Sequence, residues 1–146
     1  GNVTVIGTRP DGSPWRVAVK DPQNTDSYLC ILELEDVTLS TSGGYERYFE
    51  EDGVRYHHII DPETGYPADS GLLSVTVVTS NHVLADALST ALFVAGPEAA
   101  LDFWRGRDDF ELVLCTGDGR VLVTEGLAEG FQPAEDGGYT YETVRR

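Results

Sequence analysis

Apolar and polar positions alternate with a period of two in several short runs along this chain. Val3–Gly7 and Trp15–Lys20 read as strands on either side of the turn Arg9-Pro10-Asp11-Gly12-Ser13, which predicts an opening hairpin. Asp21–Ser27 is a polar loop, and Tyr28–Leu34 and Val37–Leu39 are extended around Glu35-Asp36. The small residues Ser40-Thr41-Ser42-Gly43-Gly44 read as a loop. Tyr45–Glu50 and Val54–Ile60, reversed at Glu51-Asp52-Gly53, predict a second hairpin; a loop over Asp61–Ser70 and a β-rich run over Leu73–Thr79 follow.

The period then changes. Ser80-Asn81 can cap a helix that runs to Ala95 and stops at Gly96, and Pro97-Glu98 opens a shorter helix through Trp104. Phe110–Cys115 and Arg120–Thr124, around Thr116-Gly117-Asp118-Gly119, predict a last hairpin, and the tail from Glu125 is Gly-rich and polar. Many strands with two consecutive helices predict an α+β fold. The expected architecture is a largely antiparallel sheet with helices packed on one side, and residues 1–146 form a single domain.

Charge narrows the partners. A net charge of −15, with Lys20 the sole lysine, repels polyphosphate backbones and argues against nucleic acid. A phosphate-bearing ligand would need a metal ion or backbone N–H groups to offset that field. No apolar run approaches the roughly 20 residues of a membrane-spanning helix. The chain opens on Gly1-Asn2 and contains no methionine, which predicts a fragment or a processed chain. Cys30 and Cys115 lie in apolar surroundings without metal-ligand spacing, favouring buried free thiols over a disulfide.

Three stretches carry candidate chemistry. In Tyr56-His57-His58-Ile59-Ile60-Asp61-Pro62, strand geometry would send His57 and His58 to opposite faces, so at most one serves a given site. A histidine at the mouth of a sheet suits a general base, while two half-buried strand histidines would be purely structural. In the helix, His82, Asp86 and Thr90 fall on one line, with Ser89 beside it. That stripe is either a solvent-facing strip or, lacking Lys, Arg and Glu, a pair of hard oxygen ligands for Mg²⁺ at Asp86 and Thr90. Thr41-Ser42-Gly43-Gly44-Tyr45 is either a plain turn or a loop that brings backbone N–H groups to a ligand. Tyr45-Glu46-Arg47-Tyr48-Phe49 then adds aromatic surface and a cation, compatible with a planar ring system.

In order, Thr41–Arg47, Tyr56–Pro67, Ser74–Val77 and Ala85–Phe93 resemble the FAD:protein FMN transferase family, also called ApbE, and the resemblance extends from Gly1-Asn2 to about Phe131. It implies an enzyme that binds FAD and Mg²⁺ and moves FMN onto a threonine or serine hydroxyl of an acceptor protein, releasing AMP. The acceptor would be a flavoprotein subunit of a membrane redox complex. Two alternatives share the site: hydrolysis of FAD to FMN and AMP, and flavin binding without turnover. By the same resemblance, Asp86 and Thr90 are the metal ligands, and His58 and Asp86 the candidate catalytic groups. Ser42, Gly43, Tyr45, His58 and Ile59 border the flavin, and His57 is structural. The family's chains are about twice this length, so the sequence resembles a C-terminal half whose N-terminal half would complete the flavin pocket. A location outside the cytoplasmic membrane, as a membrane-anchored lipoprotein, is the corresponding expectation.

Overall fold

A computed structural model describes residues 1–146. In chain order the first elements are strands β1 (Asn2–Val5), β2 (Trp15–Lys20), β3 (Tyr28–Leu34), β4 (Val37–Gly43), β5 (Tyr48–Glu51), β6 (Val54–His57) and β7 (Leu72–Thr79). Helices α1 (His82–Ala95) and α2 (Pro97–Arg105) follow, then β8 (Glu111–Thr116), β9 (Arg120–Thr124), a 3₁₀ turn over Glu125–Gly130, β10 (Phe131–Pro133) and β11 (Thr140–Val144).

Six strands form the central sheet in the order β1-β4-β7-β8-β9-β11. All neighbours are antiparallel except β9 and β11, which run parallel. The sheet is buried on both faces, so its central strands read as continuous apolar runs. Alternation sorts their side chains. Val75, Val77, Leu112 and Leu114 join Ala85, Leu92, Phe93 and Trp104 in a cluster beneath the helices. Val78, Val113 and Cys115 join Leu29, Cys30 and Leu32 in a second cluster, beneath a three-stranded sheet ordered β10-β3-β2. The α+β class and the helices on one side are as expected, with a second sheet closing the other face. Both thiols are free and buried.

Helix α1 starts and stops where its local chemistry dictates. The Asn81 side chain accepts from the N–H groups of Val83 and Leu84, each at 3.1 Å. Gly96, at φ 94°, donates its N–H to Leu92 O and ends the helix.

Three expectations are corrected. β1 does not pair with β2: it lies along β4, with Asn2 opposite Ser40, while β2 pairs with β3 in the other sheet. The supposed small-residue loop is largely strand, since Thr41, Ser42 and Gly43 pair with Thr76, Val75 and Ser74 of β7. α1 packs over β4 and β7, and small hydroxyl side chains leave room for it. The second hairpin is shorter than expected, its strands being Tyr48–Glu51 and Val54–His57, so His58 lies just past the strand end. The Gly-rich, polar tail is itself ordered, because Tyr139 and Tyr141 pack against the second cluster and β11 completes the sheet.

Candidate functional site

A cavity of about 380 Å³ opens where the end of β4 meets the outer face of α1. Ser42, Gly43, Tyr45, His58, Asp86 and Thr90 all line it, so residues from three separate stretches of sequence converge on one space. Ile59 does not line it. Its side chain is 5% exposed, packed in the cluster beneath the helices, because the chain leaves β6 at His57 and turns Ile59 inward. His82 is also absent from the lining and sits exposed in the first turn of α1. The polar stripe is therefore divided, with only Asp86 and Thr90 over the cavity.

The two histidines have separate duties. The His57 Nδ1 accepts from the Ile59 N–H at 3.2 Å and its Nε2 faces the Ala68 carbonyl at 2.9 Å. A carbonyl can only accept, so Nε2 carries the hydrogen and both ring nitrogens are used. His57 has no lone pair left for chemistry. The His58 Nδ1 faces the Arg47 carbonyl at 3.3 Å, and the His58 N–H donates to the same oxygen at 3.1 Å. Nδ1 therefore carries the hydrogen, leaving Nε2 as a free acceptor on a ring that borders the cavity.

Tyr45 and Arg47 add donors to the wall. Burial, reinforced by nearby Glu46, pushes the Tyr45 phenol up to about 12, so it remains a neutral donor. Glu46 is drawn to Lys20 at 3.8 Å. Arg47 lines the cavity as its one guanidinium, a local offset to a strongly acidic chain. Gly43 is needed for close packing: a Cβ there would meet the Tyr45 ring at 2.4 Å and the Leu73 carbonyl at 2.9 Å.

Behind the cavity, β4, β1 and α1 are laced by side-chain hydrogen bonds. Ser42 Oγ lies 3.1 Å from Thr90 Oγ1 and 2.9 Å from Ser89 Oγ, and Ser89 Oγ lies 3.2 Å from Ser40 Oγ. Ser40 donates to Asn2 Oδ1 at 2.6 Å, and the Asn2 amide donates to Asp86 Oδ1 at 3.2 Å. Asn2 and Ser40 were not singled out as site residues by the sequence pattern, whereas Arg47 was visible as the cation of the aromatic run after the small-residue stretch. Ser89 was visible only as a neighbour of the stripe.

The donor set suits a hard cation. Asp86 and Thr90 offer a carboxylate and a hydroxyl to one space, matching the few protein oxygens that Mg²⁺ takes when phosphate and water supply the rest. No group of three or more His, Cys, Asp or Glu side chains is arranged as a metal cage, so the site does not resemble a zinc centre.

The model of the ApbE family matches residues 1–114. The FAD:protein FMN transferase of Vibrio cholerae is 44% identical over 102 residues, covering 69% of this chain and 30% of that protein. A protein of the same name from Klebsiella pneumoniae is 34% identical over 138 residues, covering 94% of this chain and 42% of that one. The crystal structure of the ApbE protein from Thermotoga maritima superposes with a TM-score of 0.78 at 41% identity, covering 89% of this chain and 42% of the other. The apo flavinyl transferase ApbE of Pseudomonas stutzeri gives a TM-score of 0.62 at 38% identity. The chain thus spans 30% to 42% of the lengths of the two curated relatives.

Proposed function

Because the chain belongs to the ApbE family, we propose that its cavity takes part in the transfer of FMN from FAD to a threonine or serine hydroxyl of an acceptor protein. The acceptor is a flavoprotein subunit of a membrane redox complex, met outside the cytoplasmic membrane. The supporting observation is the convergence of His58, Asp86 and Thr90 on one space beside Ser42, Gly43 and Tyr45.

In this reading the acceptor oxygen forms a bond to the FMN-side phosphorus while the bond from that phosphorus to the AMP oxygen breaks. His58 Nε2 accepts the hydroxyl proton as the new bond forms, held in the right tautomer by the Arg47 carbonyl. Asp86 and Thr90 hold Mg²⁺, which when bound offsets charge on the diphosphate oxygens. Asp86 already accepts from Asn2 and would be a ligand of the cation, so the proton is assigned to His58 rather than to it. The Tyr45 hydroxyl and the Arg47 guanidinium supply donors along the wall, and Gly43 lets the Tyr45 ring pack close to the strand beside it.

A protein of the relatives' full length that carries this chain, incubated with FAD, Mg²⁺ and an acceptor domain, should give an FMN-sized mass gain on the acceptor and one AMP per transfer, whereas residues 1–146 alone, which span 30% to 42% of those lengths, should give none. FMN released without acceptor modification would identify water as the attacking group and the protein as an FAD pyrophosphatase. FAD bound with no turnover would make it a binding module. Loss of transfer in Asp86→Ala supports the metal assignment; undiminished transfer in that variant overturns it.

A further inference from the structure

The side chains behind the cavity form a closed circuit: Asp86, Asn2, Ser40, Ser89, Ser42, Thr90 and back onto the same face of α1. Each hydroxyl has one hydrogen to give, so the direction of every bond can be worked out from one end. Asp86 as a carboxylate only accepts, which orients the Asn2 amide with Nδ2 toward it and Oδ1 toward Ser40. The opposite amide orientation would set two oxygens against each other. Oδ1 also only accepts, so the Ser40 hydrogen goes to Asn2.

Ser89 is fully buried, at 0% exposure, with three oxygens around it: Ser40 Oγ at 3.2 Å, Ser42 Oγ at 2.9 Å and the Asp86 carbonyl at 3.1 Å. Ser40 has no hydrogen left, and a carbonyl has none. The Ser89 hydrogen must therefore serve one of those two acceptors, or two buried lone-pair contacts would go unrelieved. Ser42 is then the donor to Ser89, and its hydrogen is spent as well. On that assignment Thr90 donates to Ser42, and its remaining lone pairs are free for the cavity.

We propose that Asn2, Ser40, Ser89 and Ser42 are positioning residues that fix the Thr90 hydroxyl as an acceptor toward a divalent cation. The same circuit holds Asp86 through the Asn2 amide, which donates to Oδ1, so both ligands are set by one network. This rests on the cation reading of the site given above. Partners behind metal ligands commonly change affinity by tenfold to a hundredfold when removed. In their absence the Thr90 hydrogen would be free to turn toward the cavity, where it opposes a cation.

Binding of Mn²⁺, an oxygen-preferring stand-in that reports by electron paramagnetic resonance, separates the two levels of the argument. Asp86→Ala should abolish Mn²⁺ binding. Absence of binding in the unsubstituted protein, or unchanged binding in Asp86→Ala, overturns the cation reading and the circuit with it. Given that loss, Ser42→Ala should weaken Mn²⁺ at least about tenfold, and Ser42→Thr, which keeps the hydroxyl, should restore it. Ser89→Ala should act like Ser42→Ala; should it fail to fold, the Ser42 pair carries the test alone. Mn²⁺ affinity unchanged in Ser42→Ala, or not restored by Ser42→Thr, overturns the circuit while leaving the cation site standing. A packing role alone would lower the metal-free unfolding midpoint and leave the Mn²⁺ affinity where it was.

Discussion

The His57 ring stands edge-on to Phe93 of α1, with 5.6 Å between ring centroids and planes 78° apart. It pins the β5–β6 hairpin to the helix, while the next residue turns to the cavity. His57→Ala should therefore cost stability, by roughly 2 kcal/mol from two hydrogen bonds and an aromatic contact. His58→Ala should leave the unfolding midpoint nearly unchanged and lower flavin transfer by about 10²- to 10⁴-fold. Thermal denaturation alongside a transfer assay checks both. Equal stability losses in the two variants would contradict the division of roles.

Features set by local chemistry were legible in the sequence. Asn81 and Gly96 bracket α1 because capping uses neighbours a few residues away, and Asp86 and Thr90 share a face by helical spacing alone. Strand partners were less legible, because pairing is non-local. Nothing in Asn2–Val5 announces that it lies along β4 rather than β2. The Ser and Thr residues of β4 suit loops and strands alike, and the contacts with β7 and α1 decided the matter. The tail acquires its order from partners 112 and 118 positions away, Leu29 for Tyr141 and Asp21 for Tyr139. Asn2 carries no local sign of a site residue, and becomes one only when β1 places it beside Ser40 and Asp86.

Gly43→Ala should damage the site more than its size suggests. The Tyr45 ring can swing aside, but the Leu73 carbonyl is backbone on the paired strand and has little freedom. Overpacking of this kind costs about 1–3 kcal/mol, and displacing Tyr45 reshapes the cavity wall. FAD affinity, read by flavin fluorescence, should fall together with the midpoint. Gly106→Ala is the control: its nearest contact would be the Phe103 carbonyl at 3.7 Å and its φ is −84°, so both readouts should stay close to those of the unsubstituted protein.

Tyr139→Phe tests how the tail is held. Asp21 is 5% exposed and accepts from the Tyr139 hydroxyl at 2.7 Å and from the Gln23 N–H at 2.9 Å. Deleting one hydroxyl leaves a buried carboxylate short of a donor, a loss of about 1–3 kcal/mol. Chemical denaturation should show a lower midpoint with an unchanged slope. Asp21→Asn in the Tyr139→Phe background should recover part of the loss, because it removes the unpaired charge.

The buried thiols predict a pH dependence with a definite sign. Burial pushes Cys30 up to about 12 from an ordinary 9.0, and does the same for Cys115. Above 9.0 the unfolded chain releases thiol protons that the folded chain retains. Proton release therefore favours unfolding, and the thiols' contribution to stability is complete below 9.0 and declines as pH rises toward about 12. The unfolding midpoint should fall across that window, and less steeply in Cys30→Ala, which removes one of the two groups. In the folded protein neither cysteine should react with iodoacetamide at neutral pH, because the reactive thiolate is suppressed and the sulfur is inaccessible. Rapid alkylation under native conditions, or an alkaline slope identical in Cys30→Ala, would show that these sulfurs do not govern the alkaline limit.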